Sequence, residues 1–64
     1  MTLTADDCVR AVARAWDEWH ALRNMGPGYR AVASEARDRY MAAYAEAESA
    51  GYHPRIYDGK WHAN

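Results

Sequence analysis

Cys8, His20, His53, His62 and Asp58 are the residues of this 64-residue chain whose types could hold a metal ion, and Cys8, Ser34 and Ser49 are those that could act as nucleophiles. Structural zinc sites draw their ligands from close pairs of cysteine or histidine, and no spacing here has that form. A nucleophile needs a base beside it and donors for the charge that develops during reaction. Cys8 falls on the apolar face of a helical stretch, where a small buried thiol is expected, and Ser34 and Ser49 fall on solvent-side positions. Gly26-Pro27-Gly28 reads as a turn between helices and not as a phosphate loop. Glu35, Asp38, Glu46 and Glu48 read as a solvated face. The expectation is a protein that is not an enzyme, with no metal, cofactor or small-molecule substrate.

Binding chemistry is better represented. Trp16 and Trp19 lie one helical turn apart, with Val9 and Val12 on the same stretch and Arg23 at its end. Tryptophan and arginine dominate binding hot spots, and so wide an apolar stripe exceeds what one partner helix covers. With Tyr57 and Trp61 from the C-terminal segment, these make Trp16, Trp19, Arg23, Tyr57 and Trp61 the candidate residues for binding a protein partner. A fold-back tail or a second copy of the chain would instead turn the same face into ordinary core. Arg30, Arg37 and Arg39, with Arg55 and Lys60, form a possible nucleic-acid edge on which a tail hairpin would act as a wing. Charge speaks against it: seven arginines and one lysine meet nine acids for a net charge of -1, and nucleic-acid modules carry a basic excess. Helix-turn-helix geometry also needs a short recognition helix and a third supporting helix, neither of which is evident.

The elements that must position these residues depend on one break, Asn24-Met25-Gly26-Pro27-Gly28. Before it, Thr4 is a good N-cap, with Asp7 placed for a capping box and Leu3 and Cys8 placed for a hydrophobic staple. Apolar residues then recur at Cys8, Val12, Ala15, Trp19 and Leu22, opposite Arg10, Arg14, Asp17 and Ala21. Gly26 in a left-handed conformation would end the helix and Pro27 would prevent its continuation. After the break, Tyr29, Ala33, Ala36, Tyr40, Ala43, Ala47 and Ala50 alternate spacings of four and three, which is a heptad seam ending at Gly51. Its alanines would let two helices approach closely, with the tryptophans of the first helix packing against them, large against small. In an antiparallel pair Glu46 or Glu48 would approach Arg10, and Arg37 would approach Asp17 or Glu18.

From Gly51 onward the chain is aromatic and basic, without helical periodicity, and Asp58-Gly59 is a turn signal between Ile56-Tyr57 and Lys60-Trp61. So short a hairpin does not stand alone, so the tail either folds over the helices or is ordered by a partner. Tyr44-Ala45-Glu46-Ala47-Glu48 resembles the Tyr-x-x-x-acid export signal of helical-hairpin substrates of type VII secretion. Those longer proteins carry a Trp-x-Gly turn where Asn24-Met25-Gly26 stands here, and membership in that family is not expected.

The sequence therefore predicts one all-α domain: an antiparallel two-helix hairpin with helix 1 about 4–24, turn 25–28, helix 2 about 29–50 and a short aromatic tail 51–64. Chains this small bury only about 60% of their unfolded surface, so pairing of two hairpins into a four-helix bundle homodimer is a natural extension. A lone cysteine, an acidic N-terminus unlike a signal peptide and no membrane-length apolar run lead to an expected cytoplasmic setting and no membrane partner. The expected function is that of a small protein-binding module, an adaptor or an inhibitor of a larger complex, of the kind phages and mobile elements encode. The alternatives are a structural subunit of a homo-oligomer or larger assembly and, after that, a nucleic-acid-binding protein.

Overall fold

The computed structural model describes residues 4–63, so the expected staple contact of Leu3 lies outside the described residues. Its elements run α1 (Ala5–Arg23), a short 3-10 turn (Pro27–Tyr29), α2 (Arg30–Ser49), β1 (Pro54–Tyr57) and β2 (Lys60–Ala63). The helices pack against each other as a hairpin, and the two strands form an antiparallel ribbon laid on it.

Both helix starts and stops have local causes. The Thr4 hydroxyl accepts from the Asp7 amide at 3.1 Å while the Asp7 carboxylate accepts from the Thr4 amide at 3.3 Å, closing the capping box. At the other end the Asn24 amide donates to His20 and the Met25 amide to Leu22. Gly26 then adopts φ 111° and ψ 178°. This is not the left-handed helical conformation expected of it but the extended region of positive φ, which only glycine visits without strain. The cause is the neighbouring proline: Pro27 opens a 3-10 turn closed by the Tyr29 amide on the Gly26 carbonyl, so the chain swings into α2 one residue later than the sequence predicts. The far end of α2 closes as a Schellman motif, with Tyr52 donating to Ala47, Gly51 donating to Glu48 and Gly51 at φ 92°.

The contact between the helices is made of small residues. Cys8, Val12 and Ala15 of α1 are buried, as are Ala33, Ala36 and Ala47 of α2. Trp16 and Trp19 are half-buried. Both rings reach α2, meeting Tyr40 at 5.3 and 5.7 Å, and they meet each other at 5.7 Å.

The all-α expectation is corrected by the C-terminal ribbon. Pro54 pairs with Ala63, Arg55 with His62, Ile56 with Trp61 and Tyr57 with Lys60. Asp58 at φ 54° and Gly59 at φ 73° make the two-residue connection, both with the positive φ of a type I′ hairpin turn. Strand alternation puts Pro54, Ile56, Trp61 and Ala63 on one face and Arg55, Tyr57, Lys60 and His62 on the other. Pro54 is buried and Trp61 reaches the helices, so the first face is the inner one. Periodicity does not point to a strand pair because each strand has four residues, too few for alternation to stand out.

Two expected ion pairs also change partner. Arg39, not Arg37, bonds Glu18 across the hairpin, while Arg37 lies 3.8 Å from its neighbour Asp38. Glu48 lies 3.9 Å from His53, and among the described residues neither Glu46 nor Glu48 pairs with Arg10. No helix of the described residues is long and apolar enough to cross a membrane.

Candidate functional site

Trp19 belongs to two environments at once. Its ring meets Trp16 edge to face at 5.7 Å, His20 at 4.8 Å and Tyr40 at 5.7 Å. Trp16 continues this cluster to Tyr40 at 5.3 Å and to Trp61 at 5.7 Å. Trp19 also lines an open groove of about 550 Å³ at the turn end of the hairpin. Leu22 and Ala33 add apolar surface to that groove, and Arg23, Arg30 and Arg37 supply its charge. Arg30 and Arg37 are seven residues apart, two turns along one face of α2, and Arg23 reaches them from the last turn of α1.

The groove thus joins residues that the sequence assigns to different roles. Trp19 and Arg23 come from the expected protein-binding set, and Arg30 and Arg37 from the possible nucleic-acid edge. The remaining members lie elsewhere. Trp16 and Trp61 are half-buried in the aromatic cluster. Tyr57 is on the outer face of the ribbon, 49% exposed and stacked on His62 at 3.8 Å with the rings 9° apart. Arg39 lines a second groove, of about 510 Å³, on the opposite flank with Asp7, Arg10, Arg14 and Glu18. The edge Arg30, Arg37, Arg39 is therefore split between two flanks.

Tyr40 stands at the centre of the cluster, although its sequence pattern marks it only as a seam position. Its place at a heptad step next to Tyr44, 6.1 Å away, was the available signal. Burial, with a smaller contribution from Tyr44, raises the pKa of its hydroxyl.

The candidate metal and nucleophile residues are not assembled. Among the described residues no group of three or more histidine, cysteine, aspartate or glutamate side chains lies together. Cys8 is buried, 4% exposed, in the contact between the helices. His20 packs on Trp16 at 4.1 Å, and its Nε2, like that of His62, is buried without a hydrogen-bond partner among the described residues. Compared with known proteins, the chain matches no protein-family model, no curated protein and no solved structure.

Proposed function

We propose that this chain is a small, non-enzymatic, cytoplasmic protein-binding module, an adaptor or inhibitor of a larger protein complex, which docks through the groove at its helix turn. The observation that supports this is the position of Trp19, in contact with Trp16, His20 and Tyr40 and at the same time lining the groove. A tryptophan held in one place by its neighbours loses little freedom when a partner covers it, and tryptophan and arginine together are the residues on which binding energy concentrates. The rest of the aromatic cluster, covered by the ribbon, serves to hold that wall.

The test compares capture of a partner by the immobilised wild-type protein and by a Trp19→Ala, Arg23→Ala variant, with circular dichroism recorded on both. Loss of capture with the helical signal intact is the expected result. Unchanged capture would overturn the proposal. Because Trp19 is half-buried, an Arg23→Glu, Arg37→Glu variant of exposed residues keeps the test informative should the first variant unfold.

The competing reading, a structural subunit paired into a four-helix bundle, needs an exposed apolar side chain for a second copy to cover, and Met41 on α2 is 61% exposed. Solution mass by light scattering separates the two. A monomer at low micromolar concentration is expected, and a stable dimer that protects the Trp19 indole would replace the adaptor reading with the bundle.

A further inference from the structure

We infer that the occupant of the turn-end groove is an acidic peptide segment of a protein partner, its carboxylates on Arg23, Arg30 and Arg37 and an apolar side chain against Trp19 and Leu22. This rests on the protein-binding reading above and names the chemistry of the partner.

The charge of the groove is of one sign. Every ionisable residue that lines it, apart from the Tyr29 phenol, is an arginine. The groove on the opposite flank has a similar volume and mixes Arg10, Arg14 and Arg39 with Asp7 and Glu18, so its acids offset two of its three cations, and Arg39 is already bonded to Glu18. In the turn-end groove, neither Arg23 nor Arg30 forms an ion pair among the described residues, and Arg37 has only its exposed neighbour Asp38 at 3.8 Å. Arg30 also stands in the first turn of α2, where the helix dipole opposes a cation and where no acidic residue offsets it. Three guanidinium groups around one concavity repel one another, and an incoming carboxylate relieves that repulsion. Each guanidinium fork donates two parallel hydrogen bonds to a carboxylate, a match that a hydrated lysine does not make.

The floor decides between acidic macromolecules. A single-stranded nucleic acid binds by stacking successive bases on a row of open rings along a continuous basic track. Here one open ring, Tyr29 at 42% exposure, stands beside a half-buried Trp19 that already has three aromatic neighbours, and the chain as a whole carries a net charge of -1. An aliphatic side chain flanked by carboxylates fits both the apolar wall and the charged rim.

The experiment is a titration of isotopically labelled full-length protein followed by nuclear magnetic resonance. The probes are an end-blocked peptide with the repeat Asp-Glu-Leu-Glu, its Asn-Gln-Leu-Gln counterpart and a short oligothymidylate. The acidic peptide is expected to shift the Trp19 indole N–H and the side-chain N–H signals of Arg23, Arg30 and Arg37. Its affinity should fall with added salt and drop about tenfold or more in an Arg23→Gln, Arg30→Gln, Arg37→Gln variant that keeps its helical signal. Equal binding of the neutral peptide would overturn the inference, as would tighter binding of oligothymidylate in this groove. Concentration-dependent shifts of the same signals without any probe would assign the groove to a second copy and overturn it too. Absence of groove shifts with the acidic peptide, while partner capture still depends on Trp19, would overturn the acidic ligand and leave the protein-binding reading standing. Loss of both dependences would remove both.

Discussion

Trp16 on α1 and Trp61 on β2 meet edge to face with ring centroids 5.7 Å apart, and this contact ties the last element of the chain to the first. A two-stranded ribbon is marginal by itself in water. The ribbon here owes its place to Trp61 on one strand and to Pro54, fully buried, on the other. In return it covers the end of the aromatic cluster distant from the groove, so the helices and the ribbon stabilise each other.

Trp61→Ala should therefore release the ribbon without dissolving the helix pair. A fully buried tryptophan costs about 3–5 kcal/mol when cut to alanine. For a half-buried one about 2 kcal/mol is expected, including the edge-to-face term. Chemical denaturation reads the stability, and amide exchange reads the location. Fast exchange at Arg55, Ile56 and Tyr57 and over Lys60–Ala63, with α1 and α2 still protected, is the expected pattern. A ribbon that stays protected would show that Trp61 is not its anchor.

Gly26 and Gly28 flank the same proline and should respond in opposite ways to alanine. No atom lies within 4 Å of a Cβ built on either, so steric clash plays no part. Gly26 sits at φ 111°, and placing a side chain there should cost about 1–3 kcal/mol of backbone strain. Gly28 has no positive φ, and Gly28→Ala should be neutral or stabilising by about 0.4–1 kcal/mol through the unfolded chain. Paired thermal melts measure the difference. Equal effects at the two positions would contradict the turn geometry.

The helix pair was legible in the sequence because its causes are local: the Thr4 and Asp7 cap, the Gly-Pro break and the Gly51 stop each act within a few residues. The strand pair was legible only at its turn, where Asp58-Gly59 has the required dihedral preferences. Which arginine faces Glu18 was not legible, because Arg37 and Arg39 are two residues apart and the choice depends on how far one helix slides and rotates against the other. The same holds for the groove. Trp19, Arg23, Arg30 and Arg37 each stand out in the sequence, yet their meeting depends on the turn conformation, which Gly26 and the 3-10 turn after it set together.

Arg39 and Glu18 link α2 to α1 on the flank opposite the aromatic cluster, and both side chains are about half exposed, at 53% and 45%. Solvent screens such a pair, so its coupling in a double-mutant cycle with Arg39→Gln and Glu18→Gln should be less than about 1 kcal/mol and should shrink further in high salt. A coupling well above that, or one that salt leaves unchanged, would mean that the pair is more enclosed than its exposure states.

Tyr40 makes stability depend on pH at the alkaline end. Its hydroxyl has a pKa above 10.0 in the folded chain, first because burial disfavours the phenolate and then because of Tyr44 nearby. The unfolded chain gives up this proton near pH 10.0, while the folded chain holds it to higher pH. Above that point the unfolded state binds fewer protons, and stability falls as pH rises. The contribution is complete below pH 10.0 and is lost as pH passes through the folded-state pKa. Tyrosinate absorbance tracked against pH should show a step above pH 10.0, and Tyr40→Phe should remove that step and flatten the alkaline loss of stability. Should Tyr40→Phe leave both curves as they were, the Tyr40 hydroxyl is not where the alkaline sensitivity resides.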